Sequence, residues 1–182
     1  MEDLSAACEN FPAGADRFVT FADSLPFEDR ERIADCFVGA QLAAVHNVGQ
    51  DVGALMQLMD QVDLGHYDFV CKIHSKKGLK MPEAWRRTLL GGVLGSRRQV
   101  DQIITGFRDD PKVMLAGARQ LFLYGPAYLW QNADGIDKLA GSLLNGFDFR
   151  NQDWGFVAGT CFWIRTGILL RLKALQIDWQ PG

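Results

Sequence analysis

The chain predicts an α/β fold, a Rossmann-like and mainly parallel sheet flanked by helices. Three observations lead there. Short runs rich in β-branched and aromatic residues alternate with segments whose apolar residues recur at helical spacing, the order expected of strands joined by covering helices. The run WGFVAGTCFWIR (154–165) is apolar on both alternating faces until Arg165, which reads as a central strand. The 182 residues are 48% hydrophobic and 23% charged, with no repeat, low-complexity stretch or linker, so residues 1–182 read as one domain with a substantial core.

Taken in order, a short helix carrying Cys8 opens the chain, as though the first strand of a βα unit were missing. DRFVTFA (16–22) reads as a strand and PFEDRERIADCF (26–37) as a helix, with Pro26 early and Glu28 and Asp29 in the first turn. QLAAVHN (41–47) is the next strand. DVGALMQLMDQV then places Val52, Leu55, Met56, Met59 and Val62 at helical spacing behind Asp51, a candidate N-cap. YDFVCKIH (67–74) is the third strand. Pro82 opens a helix carrying Trp85, Leu89 and Val93, and Ser96 caps another carrying Val100, Ile103, Ile104 and Phe107. KVMLAG (112–117) reads as a short buried strand, and RQLFLYGPAYLW (119–130) as an irregular aromatic segment. Asn132 is expected to cap a helix through Leu144. After the 154–165 strand, Thr166 is expected to cap a last helix carrying Ile168, Leu169, Leu172 and Leu175.

Composition narrows the function. A net charge of −3 carries no basic footprint for nucleic acid, so any anion site has to be local. No apolar run approaches the ~18 residues of a membrane span, and MEDLSAACEN does not read as a signal peptide. The expected location is the cytoplasm, with peripheral attachment at the inner face of the membrane compatible with it. Cys8, Cys36, Cys71 and Cys161 form no CxxC pair and read as reduced small hydrophobes, and histidines at 46, 66 and 74 are too dispersed for a structural zinc site.

Chemistry concentrates where strands end. In HNVGQDVG (46–53), Gly49 permits a tight turn and the following helix offers unpaired N–H groups to an anion. Asp51 either caps that helix or faces a ribose hydroxyl or base edge. The third strand ends in KIHSKK, and its tip is expected on the same edge of the sheet as the 46–53 turn. There His74 could donate to a phosphate oxygen, and Lys76 and Lys77 supply charge for a diphosphate. Lys72 lies inside the strand on the face of Val70 and His74, so it must snorkel or find a partner, with Asp68 as one candidate. Arg86, beside the core-facing Trp85, could fold toward the anion pocket or remain on a solvated helix face. Gly159 sits mid-strand with Trp163 and Arg165 on its face, where either packing or a close ligand would explain a glycine. No Walker A, HExxH or Ser-His-Asp pattern is present.

Four of these pieces, NVGQDVGALM, YDFVCKIHSKKG, WRRTLLGGVLGS and FVAGTCFWIR, together resemble the rhamnan synthesis protein F family. Its pattern runs approximately N-x-G-R-D-[IV]-G, Y-D-x-[VL]-x-K-I-H-[TS]-K-K, W-R and A-G-[TS]-M-F-W-x-R. The resemblance implies a glycosyltransferase-like domain of GT-A type acting in bacterial cell-surface polysaccharide synthesis, with a nucleotide-sugar donor such as dTDP-rhamnose and a glycan or lipid-linked acceptor. It implies that Asn47, Gly49 and Asp51 lie near the nucleotide. His74, Ser75 and Lys76 take the place where GT-A enzymes carry Asp-x-Asp, so the donor site is expected to comprise those residues with Lys77 and Arg86. Gly159, Trp163 and Arg165 are implied on the acceptor side. No resident cofactor and no metal are expected at a His-Ser-Lys tip, Mg²⁺ or Mn²⁺ being left open as additions. Gln50 stands where the pattern has arginine, and Cys161 where it has methionine. By comparison with the pattern the chain is expected to be truncated at both ends.

The leading reading is transfer of a sugar with His74 and Lys76 catalytic and Asp153 or Asp148 as the local carboxylate candidates. The alternative is a non-catalytic nucleotide- or carbohydrate-binding module of a larger polysaccharide-synthesis protein. A Rossmann-like oxidoreductase fails for want of a glycine-rich dinucleotide turn.

Overall fold

The computed structural model describes residues 2–75, 83–129, 133–137, 148 and 150–175. Strand and helix do alternate through the first third of the chain. Helix α1 (Glu2–Cys8) precedes β1 (Phe18–Ala22), then α2 (Phe27–Cys36), β2 (Gln41–Val45), α3 (Gln50–Gln61) and β3 (Phe69–Lys72). Helices α4 (Glu83–Leu94) and α5 (Arg97–Asp109) lead to β4 (Leu115–Gly117) and β5 (Phe122–Tyr124). Strands β6 (Gly155–Val157) and β7 (Phe162–Arg165) precede the last described helix, Thr166–Ala174. Pro82 and most of the helix expected from Asn132 lie outside the described residues.

The sheet expectation needs correction. Among the described residues only β1 and β2 pair in parallel, Phe18 opposite Gln41 through Ala22 opposite Val45. Strands β3, β7 and β4 form an antiparallel three-stranded sheet with β7 in the middle, and β5 pairs antiparallel with β6. The architecture is therefore mixed α/β rather than mainly parallel. Helical spacing between two strands shows that the chain crosses over, but β3 and β7 meet across some ninety residues, where no local pattern carries strand direction.

The segment 154–165 is also two strands, not one. Gly159 at φ +87° and Thr160 at φ +54° break it, leaving β6 in one sheet and β7 at the centre of another. Within β7 the two-faced reading holds. Trp163 points into a cluster with Leu89, Val93, Val100, Phe107 and Cys161. Its neighbour Ile164 points the other way, into a cluster with Met59, Leu64 and Leu169. Strand β4 is shorter than expected, and Met114 and Leu115 are exposed rather than buried.

Helix starts follow chemistry that sequence shows only in part. Ser96 caps α5, its hydroxyl accepting from the Gln99 N–H at 3.2 Å. Asp51 does not cap α3; Gly49, left-handed at φ +67°, takes that position and Asp51 falls in the first turn. Thr166 likewise lies inside its helix because β7 runs into it without a turn, making Arg165 the cap residue. None of the four cysteines is in a disulfide. Among the described residues no helix is long and apolar enough to cross a membrane.

Helix α4 lies against Ala118 so closely that a Cβ at Gly92 would stand 2.5 Å from the Ala118 Cα, whereas one at Gly91 meets nothing within 4 Å. Gly92→Ala is therefore expected to cost about 2 kcal/mol by overpacking. Gly91→Ala, gaining helix propensity, is expected to be neutral or to stabilise by up to ~1 kcal/mol. Urea unfolding of the two variants checks both.

Candidate functional site

Three segments meet at the tip of β3. The first is the turn from β2 into α3, where Gly49 and then Gln50 (φ +53°) are both left-handed and swing the chain into the helix. That bend brings Asp51, in the first turn, to the end of β3. The second is β3 itself, delivering Lys72 and, two residues on, His74 from the same face. The third is the Gly159–Thr160 break between β6 and β7. Glycine is required here: φ is +87°, and a Cβ would stand 2.6 Å from Leu89 Cδ2.

The Asp51 carboxylate is the hub. Its Oδ2 accepts from both Lys72 Nζ and Thr160 Oγ1. Lys72, only 7% exposed, also donates to the Thr160 carbonyl at 3.0 Å and lies 6.0 Å from the centre of the Phe162 ring. Its partner is thus Asp51, not Asp68. His74 Nε2 is 2.7 Å from the Gly159 carbonyl, 3.1 Å from Thr160 Oγ1 and 3.6 Å from Asp51 Oδ2. The threonine proton is committed to Asp51 and a carbonyl only accepts, so Nε2 carries a proton in this arrangement. Burial opposes the charge on Asp51, yet hydrogen bonds from Lys72 and Thr160 and the charges of Lys72 and His74 outweigh it and hold its pKa at about 2.

Asp51, Lys72, His74 and Ser75 line one end of a cavity of about 400 Å³. Its other walls are largely apolar, including Phe18, Val19, Leu55 and Phe69, with Arg17 and Thr20 as further polar groups. The cavity runs between β1 and β3, which share no ladder among the described strands.

The remaining sequence candidates separate by location. Asn47 and Gly49 are exposed in the turn before α3, and exposed Ser75 follows His74 directly. Lys76 and Lys77 lie outside the described residues. Arg86 pairs with Asp3 of α1 at 2.5 Å. Trp163 is 4% exposed and donates from Nε1 to the Val93 carbonyl at 2.9 Å, a core position. Arg165 lies over the rings of Phe69 and Phe107 and donates to the carbonyls of Val113, Phe107 and Asp110, closing the end of α5. Asp153 is exposed and accepts from Tyr124 Oη at 3.0 Å. Asp148 accepts from the backbone N–H groups of Arg150 and Asn151 and from the Asn151 amide. Pattern reading of the apolar run missed Thr160. The available signal was a glycine followed by a polar residue inside it, which marks a break rather than a strand interior.

Removing the hub charge leaves Lys72 buried and unpaired, so Asp51→Asn is expected to cost about 3 kcal/mol near neutral pH. Because the folded pKa of Asp51 lies below its unfolded value, this stabilisation is present above the unfolded pKa and is lost as pH falls toward about 2. The stability gap between native chain and variant should shrink as pH falls below about 4, as read by urea unfolding at each pH.

Comparison with known proteins agrees with these motifs. A relative from Xanthomonas campestris pv. campestris (strain B100), the uncharacterized protein WxcX, is 29% identical over 152 residues, covering 80% of this chain. The chain spans about a fifth of that relative, the alignment covering 21% of its length. No solved structure matches the chain. The family model for rhamnan synthesis protein F matches residues 1–181, and the chain belongs to that family.

Proposed function

We propose that this chain is a glycosyltransferase-like donor-binding domain in rhamnan or related polysaccharide synthesis, acting on a nucleoside-diphosphate deoxysugar such as dTDP-rhamnose. The observation that carries the reading is the convergence of Asp51, Lys72 and His74, all lining one cavity, on Thr160 beside the start of α3. The residues come from three of the four sequence pieces that the family resemblance rests on.

In this reading the diphosphate lies at the tip of β3. The first-turn N–H groups of α3 and the exposed Ser75 hydroxyl offer hydrogen bonds, and Lys76 and Lys77, next in the chain, bring positive charge. Lys72 contributes none, since Asp51 neutralises it. The role of Asp51 is positioning: it fixes Lys72 and Thr160, and through Thr160 it orients His74. His74 then approaches a phosphate or sugar hydroxyl as the group nearest the reacting bond. Transfer depends on stabilising the departing nucleoside diphosphate, which is mainly an electrostatic task and on this reading needs no metal.

One observation favours the second reading, a binding module without chemistry of its own. Asp51 is the carboxylate of the network, and a pKa of about 2 makes it a poor general base near neutral pH.

Calorimetry with dTDP, UDP, GDP and dTDP-rhamnose, each with and without Mn²⁺, tests the proposal. We expect metal-independent dTDP binding that weakens at least tenfold in Lys76→Ala. A strict requirement for Mn²⁺ would overturn direct neutralisation by lysine. Binding of dTDP-rhamnose with no release of dTDP over hours, in the presence of a rhamnose-containing acceptor, would favour the binding module.

A further inference from the structure

Strands β5 and β6 form a small antiparallel sheet whose two faces differ. On one face Leu123 and Phe156 are paired across the strands. The Phe156 ring lies 6.1 Å from that of Tyr128 and 6.2 Å from that of Trp154, and Trp154 occupies the space a Cβ at Gly125 would need. Rings pack on this face, although Phe156 remains 37% exposed. Alternation puts Phe122 and Tyr124 on the other face, where they are 61% and 52% exposed.

Three features make that face more than two stray aromatics. The Phe122 ring lies across Gly155, where any Cβ would collide with it, so the glycine leaves room for the ring to lie down on the sheet. Tyr124 stands opposite Gly155, so no side chain rises between the two rings. Two residues along one strand separate their Cα atoms by about 7 Å, and the Phe122 ring leans over Gly155 toward the tyrosine. At the tyrosine end Asp153 accepts the Tyr124 hydroxyl at 3.0 Å, placing a carboxylate beside the rings. Apolar rings flanked by a hydrogen-bonding carboxylate suit a ligand with C–H faces and hydroxyl edges. The position also matters, because β6 continues through Ala158 straight into Gly159 and Thr160 of the Asp51 network.

We propose that the Phe122–Tyr124 face, with Asp153 at its edge, binds the glycan acceptor, and that its ligand is a chain of deoxyhexose residues whose C–H and methyl faces stack on the two rings. The proposal rests on the polysaccharide-synthesis reading above and names the acceptor for it. Asp153 accepts hydrogen bonds from sugar hydroxyls and is a binding residue here.

The test is titration of the full chain with an α-linked rhamnose trisaccharide, with maltotriose as control, followed by calorimetry and by saturation transfer from aromatic protons. The trisaccharide should bind at least tenfold more tightly than maltotriose, with transfer from ring protons of Phe122 and Tyr124. Phe122→Ala and Tyr124→Ala, whose rings are half or more exposed, should keep the native circular dichroism and each lose at least tenfold in affinity. The proposal is overturned if the native chain shows no binding at 10 mM trisaccharide, if either variant binds as the native chain does, or if maltotriose binds equally well. Measuring dTDP on the same native sample separates the two readings. Trisaccharide binding without dTDP binding removes the donor site and keeps this one, and the converse removes this one alone.

Discussion

The ion pair between buried Lys72 and partly buried Asp51 is the constraint around which the site is arranged. Lys72 is inside the protein, and taking an ammonium out of water costs several kcal/mol unless its donors are used. Two are used, on the Asp51 carboxylate and the Thr160 carbonyl. Each partner comes from a different part of the chain, so satisfying one lysine joins the start of α3, the end of β3 and the break before β7. A neutral pair could not set these positions as narrowly, because charge-assisted hydrogen bonds are stronger and an unpaired member is costly.

The break before β7 is the second dependence. If residues 154–165 ran as one strand, Thr160 would pair with a neighbour and its hydroxyl would be fixed by the pleat. Instead two successive left-handed residues turn the chain, exposing the Gly159 carbonyl to His74 and the Thr160 hydroxyl to Asp51. A non-glycine residue at φ +54° is unfavourable by roughly 1 kcal/mol or more. The hydrogen bonds from Thr160 to the Asp51 hub and from Lys72 to its carbonyl offset that strain. The stability of β7 as the middle strand, buried on both faces, anchors the far side of the turn.

These features divide between what pattern reading reaches and what it does not. Periodicity located the strands at 18–22, 41–45 and 69–72 and the helices between them, because each has one continuous local signal. It also puts the 46–53 turn near Lys72 and His74, which holds, but not for the reason of a shared sheet edge, since β2 and β3 lie in different sheets. Strand direction for β7 and β4 was not legible, since their partners are remote in sequence. Lys72 is legible as a lysine that must snorkel or find a partner, but the candidate offered by its own strand face, Asp68, is not the partner. The true partner lies on a helix across the fold, and only the three-dimensional turn at Gly49 brings it there. Trp163 and Arg165 illustrate the same limit. Alternation places them on one face, but it cannot distinguish a face that meets ligand from one that meets α4 and α5.

The geometry also separates two jobs that one sequence segment seemed to combine. Residues 153–165 contain the candidate catalytic carboxylate Asp153 and the Gly159, Trp163 and Arg165 expected on the acceptor side. In the folded chain they form a gradient along β6 and β7. Asp153 stands with the exposed rings of β5, Gly159 and Thr160 hold His74, and Trp163 and Arg165 are structural anchors. From Val157 to Thr160 an extended chain covers at most about 10 Å, so on the proposed reading a glycan on the β5–β6 face lies within reach of the tip of β3. The turn at Gly159 is therefore a joint between two surfaces of different chemistry, one charged and hydrogen-bonding, the other aromatic. On the proposed reading the two surfaces serve different ligands, the charged one a diphosphate donor and the aromatic one the C–H faces and hydroxyls of a glycan.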